Sequence, residues 1–335
     1  MHAIVIGGTR FIGRHAVEEL LASGYHVTLV NRGEHENPFV GHRKVNHVQG
    51  DRNDREVLER ARDRAVPDIV IDCIALVPQQ VATAIDVFRG ADAYVYVSST
   101  GVYARWDLPR REGETPLEPF TSAHTVDDPT AIDPMEEWAA YGPRKAEGDR
   151  VCFAAAEDGA NAMVVRPTFV YGPHDYTERL DYWIDRVNNH DHVLVPGDGD
   201  TLVHHVYVED VASALRTVAD RGTPGEAYNV GARQLLTLDQ RLARIADALG
   251  VAVELVHASE REPARYDLTP ADFPLVRAEP SLIATGKLAS LGWDSTPHRK
   301  AISPTVEEHL SSDRTGRHHG PDREMEEAAI NGLTT

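Results

Sequence analysis

The opening of the chain restricts its fold more than any other stretch. Residues 3–7 are an apolar run that meets a glycine-rich turn, Gly7-Gly8-Thr9-Arg10-Phe11-Ile12-Gly13. Residues 11–23 then place Phe11, Ile12, Ala16, Val17, Leu20 and Leu21 at helical spacing until Gly24, and 25–30 is a second strand-like run. Strand, turn, helix, strand is a βαβ unit, and parallel strands joined by a crossover helix belong to a parallel sheet. The alternation continues with a strand over 45–48, a helix over 54–64, a continuous apolar strand over 69–74, a helix over 79–88, a strand over 94–97, a long helix over 134–156 and a strand over 162–166. Strands this apolar are buried on both faces, so the expected class is α/β with a doubly wound parallel sheet. Gly142-Pro143 lies inside the long helix, which is tolerable only near its first turn.

Past Pro167 the rhythm loosens. The pattern predicts a helix over 180–189, strand 202–208, helix 210–219, strand 227–230, helix 238–249 and strand 251–256. The expected organisation is a Rossmann-type domain over 1–170 with contributions from 202–231, and a smaller mixed α/β substrate cap over 171–201 and 232–310. Residues 311–335 are polar and read as a disordered tail. The histidines of that tail, His190 with His192, and His204 with His205 lack helical or cysteine-linked metal spacing, so no metal is assigned.

The glycine turn sits where a dinucleotide phosphate loop belongs, between first strand and first helix. Glycines there allow close backbone approach, and the helix amino end offers free N–H groups to a pyrophosphate. Only Gly7 and Gly13 stand in the expected places, with Arg10 or Phe11 at the middle glycine position. The end of the second strand normally carries an acid that bonds the ribose 2′-hydroxyl of NAD; here it is Asn31, followed by Arg32. Losing the acid removes repulsion toward a 2′-phosphate, and Arg32 and Arg10 can pair with one, so NADP(H) is the expected cofactor, with NAD(H) an alternative. Asp51, after the third strand, is placed to meet the adenine.

A second constellation lies between residues 94 and 145. The strand Tyr94-Val95-Tyr96-Val97 ends in Ser98-Ser99-Thr100, and a helix then presents Tyr141 and Lys145 four residues apart. Side chains at i and i+4 share a helix face, so the ammonium can stabilise a phenolate and make Tyr141 a general acid or base. Ser99 would bond the same substrate oxygen.

Composition limits the partners. Among 335 residues, 53 acidic against 34 basic side chains give a net charge of −19, a poor balance for general nucleic-acid binding. Only four bases are lysines, Lys44, Lys145, Lys287 and Lys300; an acidic, arginine-rich chain suits a salt-loaded cytoplasm, although GC-rich coding gives the same arginine bias. Cys73 and Cys152 are too few for a disulfide framework and read as buried thiols. No apolar window is long enough for a membrane span, and no leader pattern opens the chain, so the expectation is a cytoplasmic protein.

These motifs together resemble the extended short-chain dehydrogenase/reductase superfamily, the NAD(P)-dependent nucleotide-sugar epimerases and dehydratases. The resemblance covers roughly residues 2–310 and rests on Gly7 to Gly13, Asp51, Ala75, Ser98 to Tyr103, Tyr141 with Lys145, Arg166-Pro167-Thr168-Phe169-Val170-Tyr171-Gly172-Pro173, Val208-Glu209-Asp210-Val211-Ala212, Tyr228-Asn229-Val230-Gly231 and Leu291-Gly292-Trp293. The turn written GGTRFIG is similar to the branch that includes chloroplast stem-loop-binding proteins. The resemblance implies that Ser99, Tyr141 and Lys145 are catalytic, with Lys145 also bonding the nicotinamide ribose. It implies a cofactor site drawn from Gly7, Thr9, Arg10, Phe11, Ile12, Gly13, Asn31, Arg32, Asp51, Arg52, Ala75, Lys145 and Pro167, a nucleotide-sugar substrate, and a homodimer packed through the helices near 79–88 and 141. Where 4,6-dehydratases add an Asp-Glu pair, this chain has Thr100-Gly101, which favours epimerisation or keto-reduction over dehydration. His205, Arg233 and Arg265 are candidates to meet a substrate diphosphate, and the segment from Pro119 to Tyr141 reads as a lid or an acidic surface loop. The alternatives are an RNA-associated protein of the stem-loop-binding kind and an NADP(H)-sensing regulator without turnover.

Overall fold

The computed structural model describes residues 1–105, 108–129, 137–259, 268–277 and 280–334. By internal contacts the chain divides into two compact units: 1–170 with 208–231 and 283–294, and 171–207 with 232–282 and 295–335.

The first unit follows the alternation. β1 (His2–Ile6), α1 (Phe11–Ala22), β2 (His26–Asn31), β3 (Val45–Gln49), α2 (Arg55–Arg64), β4 (Ile69–Asp72), α3 (Pro78–Val87), β5 (Ala93–Val97), α4 (Trp138–Glu157) and β6 (Ala162–Pro167) succeed one another. The strand Ala227–Val230 completes a seven-stranded sheet, in the order Ala227–Val230, β6, β5, β4, β1, β2, β3. Every described pairing in it is parallel. The chain runs outward from β1 to β3 and then restarts at β4 on the other side of β1, so the strand order reverses between β1 and β4, where such sheets bind ligands. The helix Val208–Arg221 packs on α1, while α2, α3 and α4 pack in series. Between this series and the sheet lies a core containing Ile4, Ile6, Val70, Val81, Ile85, Tyr94, Tyr96 and Cys152. Cys152 is buried and Cys73 partly so; both are free thiols.

Local signals account for the boundaries. Asp54 caps α2, accepting from Glu56 N at 3.0 Å, and Arg62 and Arg64 stand in its last turn, opposite the helix dipole's negative end. Pro143 falls in the second turn of α4 rather than its first, because the described helix begins at Trp138. Of the start expected for this helix, residues 134–136 lie outside the described residues, and Glu137 is its non-helical N-cap.

The second unit contains the helices Arg179–Asn189, Leu238–Leu249, His298–Leu310 and Arg323–Thr334, and the parallel strand pair His192–Pro196 with Glu254–Ala258. The strand expected over 202–208 is two short ones, Leu202–Val203 and His205–Tyr207, with Val208 already helical. Trp183 stacks on Phe273 with ring centroids 5.9 Å apart. The expected disordered tail is a correction: Arg323–Thr334 is a helix that buries Glu326, Ala329 and Ile330. Glu326 accepts from Arg186 Nε at 2.8 Å and from the Tyr182 hydroxyl, so buried polar bonds anchor a segment whose composition reads as solvated. No described helix is long and apolar enough to cross a membrane.

Candidate active site

The glycine turn closes the carboxyl end of β1. Gly7 has φ +88°, and a Cβ there would lie 2.3 Å from the Ile74 side chain beyond β4, so only glycine fits at the strand reversal. A Cβ on Gly13 would lie 1.9 Å from the Gly7 carbonyl oxygen, so α1 packs directly on the turn. Phe11 adopts φ +37°, which locates the strain of the missing middle glycine at Phe11. The N-cap of α1, Arg10, makes no side-chain capping bond to the helix start. This arrangement fits a pyrophosphate.

At the end of β2, Asn31 Oδ1 accepts from Gly33 N at 2.9 Å and lies 3.0 Å from His47 Nε2. Its Nδ2 is buried without a partner among the described residues, an amide donor that an acceptor on a ligand would satisfy. Arg10 Nη1 lies 2.9 Å from His35 Nε2, and Arg32 pairs with Glu34 at 2.9 Å on an exposed surface. His35 has no distinguishing motif in the sequence. Asp51 Oδ1 accepts from Asn53 N and Nδ2, both at 2.8 Å, which fixes the carboxylate after β3. The Arg52 guanidinium is buried and donates to both Asp72 oxygens at 2.6 and 2.8 Å and to the Gln80 carbonyl, while its Nε has no partner among the described residues. Thr9 and Ile12 lie in the turn and first turn of α1, and Pro167 ends β6.

Ser99, Tyr141 and Lys145 converge, and Gly101 is the piece between them. A Cβ on Gly101 would lie 3.4 Å from Ser99 Oγ and 3.8 Å from Tyr141 Cε1. Ser99 Oγ accepts from Gly101 N at 3.0 Å, which orients the hydroxyl. A Cβ on Gly142 would lie 2.5 Å from the Gly101 carbonyl oxygen, so α4 seats on the serine loop by backbone contact. The helix cost of Gly142 in the sequence has this packing as its cause.

Lys145 is buried; its Nζ donates to the Ala75 and Val97 carbonyls, each at 2.8 Å, at the carboxyl ends of β4 and β5. It lies 4.9 Å from the Tyr96 ring centroid and 5.8 Å from that of Tyr141. Burial pushes its pKa down to about 8, against the opposing pull of Asp72 and Asp149. Deeper in the same unit, Arg166 donates to Asp149 at 2.8 Å and to the Tyr103 hydroxyl at 2.9 Å, and that hydroxyl donates to Asn229 Oδ1 at 2.7 Å. The motif residues Tyr103, Arg166 and Asn229 thus form one buried network tying the serine loop to β6 and the last strand.

Of the candidate substrate residues, His205 is buried and held neutral well below the usual histidine range by burial and by Arg241 and Arg179. Arg233 is exposed, with its backbone N donating to Ser295 Oγ at 2.9 Å, and Arg265 lies outside the described residues. In the candidate lid, the His124 carbonyl and the Glu137 carboxylate both accept from Arg144 on α4, at 2.9 and 2.6 Å; Asp133-Pro134 lies outside the described residues.

Known proteins share this architecture. A chloroplast stem-loop binding protein of 41 kDa from Arabidopsis thaliana is 25% identical over 77% of this chain, which spans 66% of that protein's length. A low-salt glycan biosynthesis protein, Agl12, of Haloferax volcanii is 27% identical over 88% of this chain and 93% of its own. Among solved structures, dTDP-glucose 4,6-dehydratase from Bacillus anthracis, in complex with NAD, superposes with TM-score 0.71 over 95% of this chain and 99% of that one, at 19% identity. UDP-glucose 4-epimerase from Thermotoga maritima, with UDP-glucose, gives TM-score 0.70 over 93% and 99%, at 20% identity. Residues 3–231 match the model of the NAD dependent epimerase/dehydratase family, and the chain belongs to that family.

Proposed function

We propose that this chain is a nicotinamide-dinucleotide-dependent epimerase or reductase acting at a hydroxyl-bearing carbon of a nucleotide sugar or related carbohydrate. The observation that carries the reading is the convergence of Ser99 and Tyr141 on either side of Gly101, with the Lys145 ammonium behind the phenol ring. A bound nicotinamide supplies hydride exchange at its C4. Tyr141 moves the proton of the reacting hydroxyl, Ser99 Oγ holds the same oxygen, and Lys145, fixed by two carbonyls, favours phenolate. Gly7, Thr9, Phe11, Ile12 and Gly13 would cradle the pyrophosphate and Asp51 the adenine.

NADP(H) is the preferred cofactor in this reading. The Asn31 oxygen is already engaged by Gly33 and His47, which takes away the acceptor that a 2′-hydroxyl needs, and Arg10 and Arg32 flank the same turn. Epimerisation or reduction is favoured over dehydration because Thr100 and Gly101 bring no acid-base pair beside Ser99. The dehydratase names among the relatives keep dehydration as the competing outcome. The stem-loop-binding relative supports a second reading, RNA association, which the net charge of −19 opposes. A homodimer through α3 and α4, which pack side by side, completes the proposal.

The test is a thermal-shift and turnover screen with NAD(H) and NADP(H) against UDP-, GDP- and dTDP-sugars, run on wild type and Tyr141→Phe. The expected result is larger stabilisation by NADP(H), and a turnover loss of about 10²- to 10⁴-fold in the variant with dinucleotide affinity intact. Equal turnover in Tyr141→Phe would remove the phenol from the chemistry, and no stabilisation by either dinucleotide would remove the enzyme reading altogether.

A further inference from the structure

One buried cation in the second unit has no ion pair among the described residues. Arg241, on the helix Leu238–Leu249, is 2% exposed, and its Nε and Nη2 are buried without a hydrogen-bond partner among the described residues. Its guanidinium carbon lies 4.6 Å from the centroid of the Tyr171 ring, itself 5.9 Å from that of Tyr207. Three other buried arginines carry an acid. Arg52 meets Asp72, Arg166 meets Asp149, and Arg186 meets Glu326, each at 2.8 Å or less.

An unpaired guanidinium in a dry interior is costly, and a chain with 53 acidic side chains had many ways to pair it. The surroundings are cationic instead. Beyond burial, Arg241, Arg179 and His204 push the His205 ring toward the neutral form against a backbone hydrogen bond with Leu275, and Arg241 and Arg244 do so for His298 against one with Gln234. The edge left open is the Nε–Nη2 edge, the fork whose two parallel N–H groups match two oxygens of one carboxylate or phosphate. The Tyr171 ring beside the guanidinium restrains that fork.

We infer that Arg241 is a binding residue for an oxyanion of the substrate, a phosphate or a carboxylate taken up bidentately on its Nε–Nη2 edge. The inference deepens the nucleotide-sugar reading and rests on it for the ligand's identity, whereas the anion site itself is tested without turnover. Because the fork is sealed, a ligand reaches it only through local opening of this unit.

The experiment uses full-length protein saturated with dinucleotide, so that the pyrophosphate cradle is already filled. Melting shifts and calorimetric titrations with UDP, inorganic pyrophosphate, uridine and glucuronate are compared for wild type, Arg241→Met and Arg241→Lys. UDP and pyrophosphate, without uridine or glucuronate, binding wild type identifies phosphate; glucuronate alone identifies carboxylate. In Arg241→Met the affinity for that anion is expected to fall about 10- to 100-fold, dinucleotide affinity to stay unchanged, and the anion-free melting temperature to rise, since a buried unpaired charge has gone. Arg241→Lys, which keeps the charge without the fork, is expected to bind the anion more weakly than wild type without the rise in melting temperature. Undiminished anion binding in Arg241→Met overturns the inference, as does a lower melting temperature or failure to fold, because either means that the fold itself satisfies the guanidinium. Wild type bound by dinucleotide but by none of the anions overturns it while leaving the cofactor reading in place.

Discussion

The two compact units are fastened by different means. The first is a sheet of nearly continuous apolar strands, with ion pairs placed behind a core that already holds it: Val5, Val70, Val95 and Val164 are wholly buried, and Arg166–Asp149 lies among them. In the second, the segment after Leu310 adds to the burial of Ala329 and Ile330 a set of ion pairs, Glu326 to Arg186, Arg317 to Asp185 and Arg314 to Asp181 and Glu308. Hydrophobic burial is non-directional and accepts many sequences, whereas a buried ion pair depends on both partners. The second unit should therefore fail at single residues where the first degrades gradually.

The sharpest way to break that contrast is Glu326→Ala. It leaves Arg186 buried without its main partner, and the expected loss is about 3–5 kcal/mol from the second unit, with residues beyond Leu310 becoming protease-sensitive and dinucleotide binding retained. Denaturant melts with limited proteolysis measure it; a first unit that melts in step with the second would deny the units separate stabilities.

A smaller effect concerns Lys145, the first unit's buried cation held by carbonyls rather than carboxylates. With a folded pKa near 8 and an ordinary value of 10.5, the unfolded chain carries a proton between these values that the folded chain has shed. Stability should then rise with pH across that window, by at most roughly 3 kcal/mol. Lys145→Met should abolish the rise, measured as unfolding free energy against pH for both proteins; parallel curves would place the titration elsewhere. The smallest effect is local: Asp54→Ala removes the α2 cap and should cost about 1 kcal/mol in the same melts, within what an apolar sheet absorbs.

The same difference explains what was legible in the sequence. Apolar runs and glycine turns state their purpose residue by residue, so β1 to β6, the glycine turn after β1 and the Ser99, Tyr141, Lys145 grouping follow from pattern. The helix Arg323–Thr334 does not, because Glu326 is indistinguishable in sequence from a solvated glutamate until Arg186 and Tyr182 are brought to it from about 140 residues away. The Arg52–Asp72 pair was illegible for the same reason, since the two are neighbours only through the sheet. Arg241 was hidden because it shares the buried helix face of Leu238, Leu242 and Ile245, and no local pattern marks a guanidinium without an acid partner.

The contact between Gly142 and the Gly101 carbonyl has a consequence for how such a site changes over time. Because main chain meets main chain there, the gap between hydroxyl loop and tyrosine helix is gauged by atoms that every residue possesses, and only a side chain added at 101 or 142 would widen it. Under the proposed function, new substrates can then be acquired by altering the surrounding walls, with the spacing of Ser99 and Tyr141 carried forward unchanged.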